Sequence, residues 1–194
     1  MRKLILFILL IFMPFGAFAS DQPEVSRRLD LSPEAIERGK AAFMAHCMAC
    51  HGLKYAGIQP AMDAATAQAS FGVVPPDLSL MASARGKGTE GAIYIYRLLT
   101  TYYVDEKGQV KNLAFKEETQ GDGTIAMPQP IASDDPQLQE KAMDIAAYLH
   151  RTADPYEVGR VRIGKYVIAY MVILTAFLFA LNRITWKNVK KPKE

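Results

Sequence analysis

The chain has 194 residues, of which 50% are hydrophobic, and a formal net charge of +3. This length allows one sizeable core, but part of the hydrophobic content lies in two terminal segments outside any core. The basic excess also lies at the two ends, and residues 20–165 carry slightly more acidic than basic side chains. The composition therefore predicts no nucleic-acid partner, and two cysteines are too few for a four-cysteine zinc site.

The first residues have the pattern of a secretory signal. Arg2 and Lys3 form a basic start, residues 4–15 are apolar, and residues 17–19 are a small-x-small cleavage site. A retained anchor is the alternative, but the apolar run is short for a spanning helix and Pro14 interrupts it. We therefore predict a signal peptide over residues 1–19 and export of the domain that begins at residue 20.

The first helix of the exported region is predicted to begin at Ser32. A serine is a favoured N-cap, and Pro33 suits the first helical position because it has no amide hydrogen to donate. Phe43 and Cys47 share one face of this helix at a spacing of four residues. The helix therefore delivers the first of the two cysteines.

Cys47, Cys50 and His51 form the pattern through which c-type haem is attached. Each thiol bonds one vinyl carbon of the porphyrin, and the adjoining imidazole supplies one axial ligand to the iron. A redox dithiol is the alternative, but no βαβ pattern surrounds the motif, and a zinc ribbon needs a second pair of cysteines. The sequence predicts one covalently bound haem c with His51 as an iron ligand.

Residues 52–124 show little periodicity except in one place. We expect irregular structure, with one short alanine-rich helix near residues 61–70. A helix is predicted from Thr89 to Tyr103, because Tyr94 and Leu98 recur at helical spacing in an apolar stripe. Residues 104–124 are polar and glycine-rich and are predicted to be turns.

The second iron ligand decides whether the iron carries electrons or binds an exogenous molecule. Thioether sulfur is the expected donor for electron transfer, and the candidates outside the two terminal segments are Met44, Met48, Met62, Met81, Met127 and Met143. Met44, Met48 and Met143 are better explained as packing residues, whereas Met62 and Met81 stay possible. Met127 is favoured because it lies in a loop that Pro128 and Pro130 restrict.

The C-terminal part contains two further predicted helices. The first begins at Ser133 and ends at Asp154-Pro155. The second is an apolar run over residues 161–182, long enough to cross a bilayer, which basic residues follow in the tail 183–194. We therefore divide the chain into the signal peptide, an exported haem domain over residues 20–160, a transmembrane anchor and a cytoplasmic tail.

The succession of short motifs along the chain resembles the cytochrome c1 family. In order they are Cys47–His51, Gly52-Leu-Lys-Tyr55, Val74-Pro-Pro-Asp-Leu-Ser79, Ala84-Arg-Gly86, Tyr94–Leu99, Ile125-Ala-Met-Pro128 and the anchor with its basic tail. The resemblance implies an all-α fold, a class I cytochrome c-like haem domain with long loops plus one C-terminal transmembrane helix. It also implies Met127 as the sixth ligand of the iron, Arg85 near a haem propionate, and a pocket lined by Pro75, Pro76, Tyr94 and Leu98.

The function that the resemblance implies is single-electron transfer within the bc1 complex. The electron would come from a Rieske iron-sulfur protein and pass to a soluble or tethered cytochrome c, with cytochrome b as a membrane partner and a dimeric complex as the assembly. The chain would not be an enzyme on its own. The expected location is the bacterial inner membrane, with the haem domain on the periplasmic side and the C-terminus in the cytoplasm.

Two alternatives stay open at this point. The first is an anchored c-type haem subunit of another respiratory complex, such as a terminal oxidase or a dehydrogenase. The second is a haem sensor or peroxidase with an open sixth position on the iron.

The sequence also departs from the family at Ala56-Gly57-Ile58, where many members have basic and aromatic residues, and it lacks the additional cysteine pair of some relatives.

Overall fold

The computed structural model describes residues 29–189, with side chains to residue 187. The chain divides into two compact units, with the boundary between Ala153 and Asp154. The predicted signal peptide and the last five residues of the predicted tail lie outside the described residues.

The first unit is mainly helical, which confirms the predicted fold class. Its α-helices and β-strands are, in chain order, α1 (Pro33–His46), α2 (Ala64–Phe71), α3 (Met81–Ala84), α4 (Glu90–Thr100), β1 (Tyr102–Val104), β2 (Val110–Asn112), α5 (Leu113–Thr119) and α6 (Leu138–Ala153), and a 3-10 helix (Lys54–Ala56) lies between α1 and α2. Helix α6 is the centre of the packing, because it contacts α1, α3 and α4. The long segments between these elements are irregular, as predicted.

Helices α1 and α6 cross at very close range. A Cβ atom at Gly39 would lie 1.9 Å from the carbonyl oxygen of Asp144, so only glycine allows this approach of the two backbones. Phe43 is fully buried one turn further along α1, and its ring lies 5.7 Å from that of Tyr148, centroid to centroid. Arg38 donates two hydrogen bonds to the Asp144 carboxylate, at 2.7 and 3.0 Å. Apolar burial and a bidentate ion pair therefore hold this crossing together.

The start of α1 is capped as its sequence predicts. The Ser32 hydroxyl oxygen accepts a hydrogen bond from the Ala35 amide at 3.3 Å, and Pro33 occupies the first turn. Helix α6 differs from the prediction, because it begins at Leu138 and not at Ser133. Residues 133–137 form turns instead, in which the Leu138 amide bonds to the carbonyl oxygen of Asp135 at 3.0 Å. The Asp135 carboxylate accepts from the Gln137 amide at 2.8 Å and stabilises this turn.

The region predicted to consist of turns contains a small hairpin and helix α5. Strands β1 and β2 are antiparallel, with Tyr102 opposite Asn112 and Val104 opposite Val110. Helix α4 consequently ends at Thr100 and not at Tyr103. The prediction was wrong here because each strand has only three residues, too few to show a period of two.

Asn112 explains why the chain turns from β2 into α5. The side chain is fully buried, and its amide nitrogen donates to the carbonyl oxygen of Leu98 at 2.7 Å. Its side-chain oxygen accepts from the Phe115 amide at 3.0 Å and so caps α5. One buried asparagine thus ties the start of α5 to the end of α4.

The second unit contains one long helix, α7 (Glu157–Val189). Residues 157–187 are long and apolar enough to cross a membrane, with a mean hydropathy of 2.0 over the most apolar window. The predicted anchor, residues 161–182, lies inside this helix. At about 1.5 Å per residue, 33 residues span about 50 Å, more than a hydrocarbon core of about 30 Å. The helix therefore extends beyond the apolar layer at one end or both.

Candidate functional site

The two cysteines lie in a turn that directly follows α1. Cys47 is the C-cap of the helix, and its carbonyl oxygen accepts from the amides of Cys50 and His51 at 3.1 and 2.9 Å. Cys47 is buried, whereas Cys50 is partly exposed. Burial raises the pKa of the Cys47 thiol to about 12. The turn is held from outside by residues 61 and 62, whose amides donate to the carbonyl oxygens of residues 48 and 49 at 3.0 and 2.9 Å.

The imidazole of His51 is oriented by the backbone of the Pro-Pro segment. Its side chain is buried, and Nδ1 lies 2.8 Å from the carbonyl oxygen of Pro76. A carbonyl oxygen only accepts hydrogen bonds, so Nδ1 carries the proton and Nε2 has a free lone pair. Burial lowers the pKa of His51, against the smaller effect of the Pro76 hydrogen bond. The neutral ring in this tautomer is the form that binds a metal through Nε2.

The segment that carries Pro76 is itself bound to the loop after His51. The Asp77 carboxylate accepts from the Lys54 amide at 2.7 Å and from the Ser79 amide at 2.9 Å. The Leu78 amide donates to the carbonyl oxygen of Gly52 at 3.0 Å. These bonds fix the position of the Pro76 carbonyl, and through it the plane of the His51 ring.

All nine residues that the sequence analysis selected line one cavity of about 330 Å³ in the first unit. They are Cys47, Cys50, His51, Pro75, Pro76, Arg85, Tyr94, Leu98 and Met127. These residues lie up to eighty positions apart in the chain and come from the turn after α1, the Pro-Pro segment, the end of α3, helix α4 and the loop before α6. Their roles towards a cofactor stay predictions, but the fold does bring them together.

The cavity reduces the number of candidate methionine ligands. Of the six candidates, all within the described residues, Met81 and Met127 are in the lining, whereas Met44, Met48, Met62 and Met143 are not. The sulfur of Met81 accepts a long hydrogen bond from Arg85 Nε at 3.5 Å. The Met127 loop is held through its backbone, because the Tyr102 hydroxyl donates to the Met127 carbonyl oxygen at 3.2 Å. This arrangement favours Met127, whose backbone is anchored while its sulfur carries no comparable bond in the structure.

The side chains of Arg85 and Tyr94 are neighbours in the cavity wall. The Arg85 guanidinium lies over the ring of Tyr94, 5.1 Å from its centroid, and forms an ion pair with Glu118 of α5. Burial, together with the nearby Glu118 carboxylate, raises the pKa of the Tyr94 hydroxyl well above its usual range. The Arg85 guanidinium, which has several N–H donors, is therefore a cationic donor available at this wall for a carboxylate.

Sequence reasoning missed several apolar residues of the lining. Ile145 and Leu149 lie on the buried face of α6, and their helical spacing signalled burial but not a ligand. Phe71 ends the short helix α2, and Phe115 belongs to α5, which the sequence did not predict. A single aromatic residue in a short or unpredicted element has no periodicity from which its position can be inferred.

The donor set and the lining fit a haem c. Two thiols, an imidazole with a free Nε2 and a thioether sulfur are the groups that covalent attachment and axial ligation require. The rest of the lining is almost wholly apolar, as a porphyrin face demands, and Arg85 supplies a positive charge for propionates.

Comparisons with known proteins agree with this chemistry. The sequence profile described as "Cytochrome C1 family" matches residues 58–189. A protein of Rhodospirillum rubrum described as "Cytochrome c1" is 35% identical over 155 residues, covering 67% of this chain and 56% of that protein. A protein of Allochromatium vinosum with the same description is 27% identical over 248 residues, covering 97% of this chain and all of that protein.

A solved structure supports the fold alone. A chain of a structure described as "Hyperthermophilic respiratory Complex III" superposes with a TM-score of 0.55 at 24% identity. The match covers 96% of this chain and 94% of that chain. The architecture of a helical first unit followed by one long helix is therefore shared along almost the entire length.

Proposed function

Because this chain belongs to the cytochrome c1 family, whose members carry one covalently bound haem c, we propose that it is the electron-relay subunit of a bc1 complex. The proposed reaction is transfer of single electrons from a Rieske iron-sulfur protein to a soluble or tethered cytochrome c. One observation carries the proposal: the cysteines and histidine of the haem motif line the same cavity as Met127. The resemblance to a chain of a respiratory complex III supports it.

The residues of the cavity have distinct proposed roles. Haem supplies a reversible one-electron change at its iron when it is bound. Cys47 and Cys50 would hold the group through thioether bonds, and His51 would offer Nε2 to the iron because Pro76 occupies its other nitrogen. Met127 would supply a thioether sulfur as the second protein ligand of the iron. With two protein ligands the iron would have no position for an exogenous molecule, which suits electron transfer better than sensing or peroxidase chemistry.

The apolar character of the cavity lining also supports a role in electron transfer. Apolar side chains exclude water from the cavity, and a thioether ligand raises the reduction potential. We propose that the chain has no enzymatic activity alone and contributes to a quinol to cytochrome c oxidoreductase as a carrier. Cytochrome b and the Rieske protein are the proposed partners, within a dimeric complex.

Helix α7 supports the proposed location. It meets the length and composition of a membrane-crossing helix, and the first unit precedes it in the chain. A signal peptide at residues 1–19 would export the first unit, which places the haem domain on the periplasmic side of the bacterial inner membrane. The C-terminus would then lie in the cytoplasm, where its basic residues are favoured.

Purification of the native complex tests the proposal. Membranes are solubilised gently, the chain is captured through a C-terminal tag, and its companions are identified. We expect a cytochrome b and an iron-sulfur protein, and quinol-dependent reduction of the haem that a quinol-site inhibitor abolishes. Recovery with oxidase or dehydrogenase subunits instead would contradict the assignment to a bc1 complex. Carbon monoxide binding to the reduced protein at neutral pH would contradict Met127 ligation.

A further inference from the structure

Glu118 pairs with a residue of the cavity wall. It belongs to α5, and its carboxylate forms the ion pair with Arg85 and raises the pKa of the Tyr94 hydroxyl. Arg85 and Tyr94 both line the cavity, whereas Glu118 is outside the lining. Glu118 therefore pairs with Arg85 of this wall without itself lining the cavity.

Three groups hold the Arg85 guanidinium. Its Nε donates to the sulfur of Met81, its face lies over the Tyr94 ring, and a terminal nitrogen donates to Glu118. The contacts with sulfur and ring are weak and allow movement, whereas the bond to a carboxylate is charge-assisted and directional. Glu118 is therefore the group that decides where the guanidinium points.

Glu118 is itself well positioned. Helix α5 begins at the buried cap Asn112, which bonds to α4 through the Leu98 carbonyl. Its neighbour Glu117 accepts from Arg97 of α4 at 2.5 Å, a second link between the same two helices. Because α5 is tied to α4 at both points, the Glu118 carboxylate is held in place before any cofactor binds.

We propose that Glu118 is a positioning residue for Arg85 and that, through Arg85, it lowers the reduction potential of the haem. The inference rests on the proposed function, since it requires a haem in the cavity. A cation near the iron favours the reduced form, which carries one positive charge fewer than the oxidised form. The Glu118 carboxylate offsets the charge of Arg85 and restrains the guanidinium from turning further towards the cavity. Both effects disfavour the reduced form.

Glu118→Gln and Glu117→Gln make a matched pair for the test. Each removes one negative charge from α5 and one ion pair with an arginine, but Arg85 lines the cavity and Arg97 does not. The measurement is a spectroelectrochemical titration of the full-length, haem-loaded protein in its native complex. We expect E118Q to raise the ratio of reduced to oxidised haem at a fixed potential by about threefold or more. For one electron, a threefold change corresponds to a rise of about 28 mV in the reduction potential. E117Q should shift it by clearly less.

A double-mutant cycle separates action through Arg85 from a direct effect of the carboxylate. Arg85→Gln should lower the ratio of reduced to oxidised haem, and in that background E118Q should have a much smaller effect than in the wild type. If E118Q yields no haem-loaded protein, Glu118→Asp replaces it. Its shorter side chain keeps the charge but weakens the bond to Arg85, so the ratio should still rise, to a smaller extent.

Two results would overturn the role of Glu118. The first is that the ratio of reduced to oxidised haem changes no more in E118Q, or in its replacement E118D, than in E117Q. The second is that the change caused by E118Q is equal in the presence and in the absence of Arg85. Both leave the proposed function intact, because they presuppose a wild-type protein with a covalently bound, redox-active haem. A wild-type protein without such a haem would contradict the proposed function and this inference together.

Discussion

The hydroxyl of Tyr102 donates a hydrogen bond to the main-chain carbonyl oxygen of Met127, at 3.2 Å. Tyr102 is the first residue of β1, and burial raises its pKa well above the usual range, so the hydroxyl keeps its proton at physiological pH. The bond attaches the loop with the favoured methionine ligand to the hairpin. A thioether is a weak ligand for iron, so restraint of its backbone matters for ligation.

Replacement of Tyr102 by phenylalanine should loosen the Met127 loop. The variant loses one hydrogen bond, worth about 1 kcal/mol, while the ring stays. We expect the methionine-to-ferric-iron charge-transfer band to weaken and to disappear at a lower temperature than in the wild type. Tyr103→Phe, one position along the same strand, is the control and should leave the band unchanged. An unaltered band in Y102F would show that the bond does not restrain the ligand.

Replacement of Met81 and of Met127 by leucine should have sharply different effects on the absorption spectrum of the haem. We expect Met127→Leu to abolish the charge-transfer band and to permit carbon monoxide binding to the reduced protein, because the iron loses its sulfur ligand. Met81→Leu should keep the band, since its sulfur bonds to Arg85. Absorption spectra of both oxidation states decide the matter. The reverse pattern would make Met81 the ligand.

The crossing of α1 and α6 should not tolerate a side chain at Gly39. A methyl group there would meet the Asp144 carbonyl oxygen at 1.9 Å, so Gly39→Ala must separate the helices. We expect a loss of about 1–3 kcal/mol in the free energy of unfolding, as for other overpacked positions, measured by urea denaturation. Lys40→Ala, at an exposed position of the same helix, is the control and should change stability little. Equal stability of both variants would contradict the close crossing.

Asp122 should make part of the stability depend on pH at the acid end. Hydrogen bonds from the Thr124 amide and hydroxyl, with Lys111 nearby, lower its pKa to about 2. Between about pH 4 and pH 2 the unfolded chain therefore binds a proton at Asp122 more readily than the folded chain does. The contribution of the Asp122 carboxylate to the free energy of unfolding is consequently present above pH 4 and is lost as the pH falls through about 2. The stability difference between wild type and Asp122→Asn should shrink over that interval in urea titrations. A difference independent of pH would show that Asp122 titrates normally.

Several elements could be predicted because their signals are local. The cap Ser32, Pro33 and the apolar spacing of α1 operate within a few residues, and the structure confirms that helix to within one residue of Cys47. The same reasoning placed the start of α6 five residues too early. The Ser133 to Asp135 segment has the composition of a cap, but in the structure it forms turns before Leu138. Cap residues and turn residues are chemically alike, so composition alone does not separate them.

The hairpin and α5 could not be predicted, because their stability depends on distant partners. Asn112 reads in the sequence as one more polar residue of a loop, yet it is fully buried and bonded to the Leu98 carbonyl. Glu118 likewise reads as a solvated acid. Only its contact with Arg85, thirty-three positions earlier in the chain, gives it a place beside the cavity.

The sequence by itself determined the covalent chemistry of this protein, since the haem motif acts through five adjacent residues, and it determined the length and polarity of the anchor. It also identified methionines, an arginine and aromatic residues as candidates for the haem site, but it did not show which of them lie close together in space. Tertiary structure decided which of these residues meet: it placed Met81 and Met127 in one cavity, oriented His51 through Pro76, and paired Glu118 with Arg85. The physical reason is that attachment and helix capping depend on near neighbours, whereas ligation, burial and charge compensation depend on contacts that exist only once α1, α4 and α6 have packed.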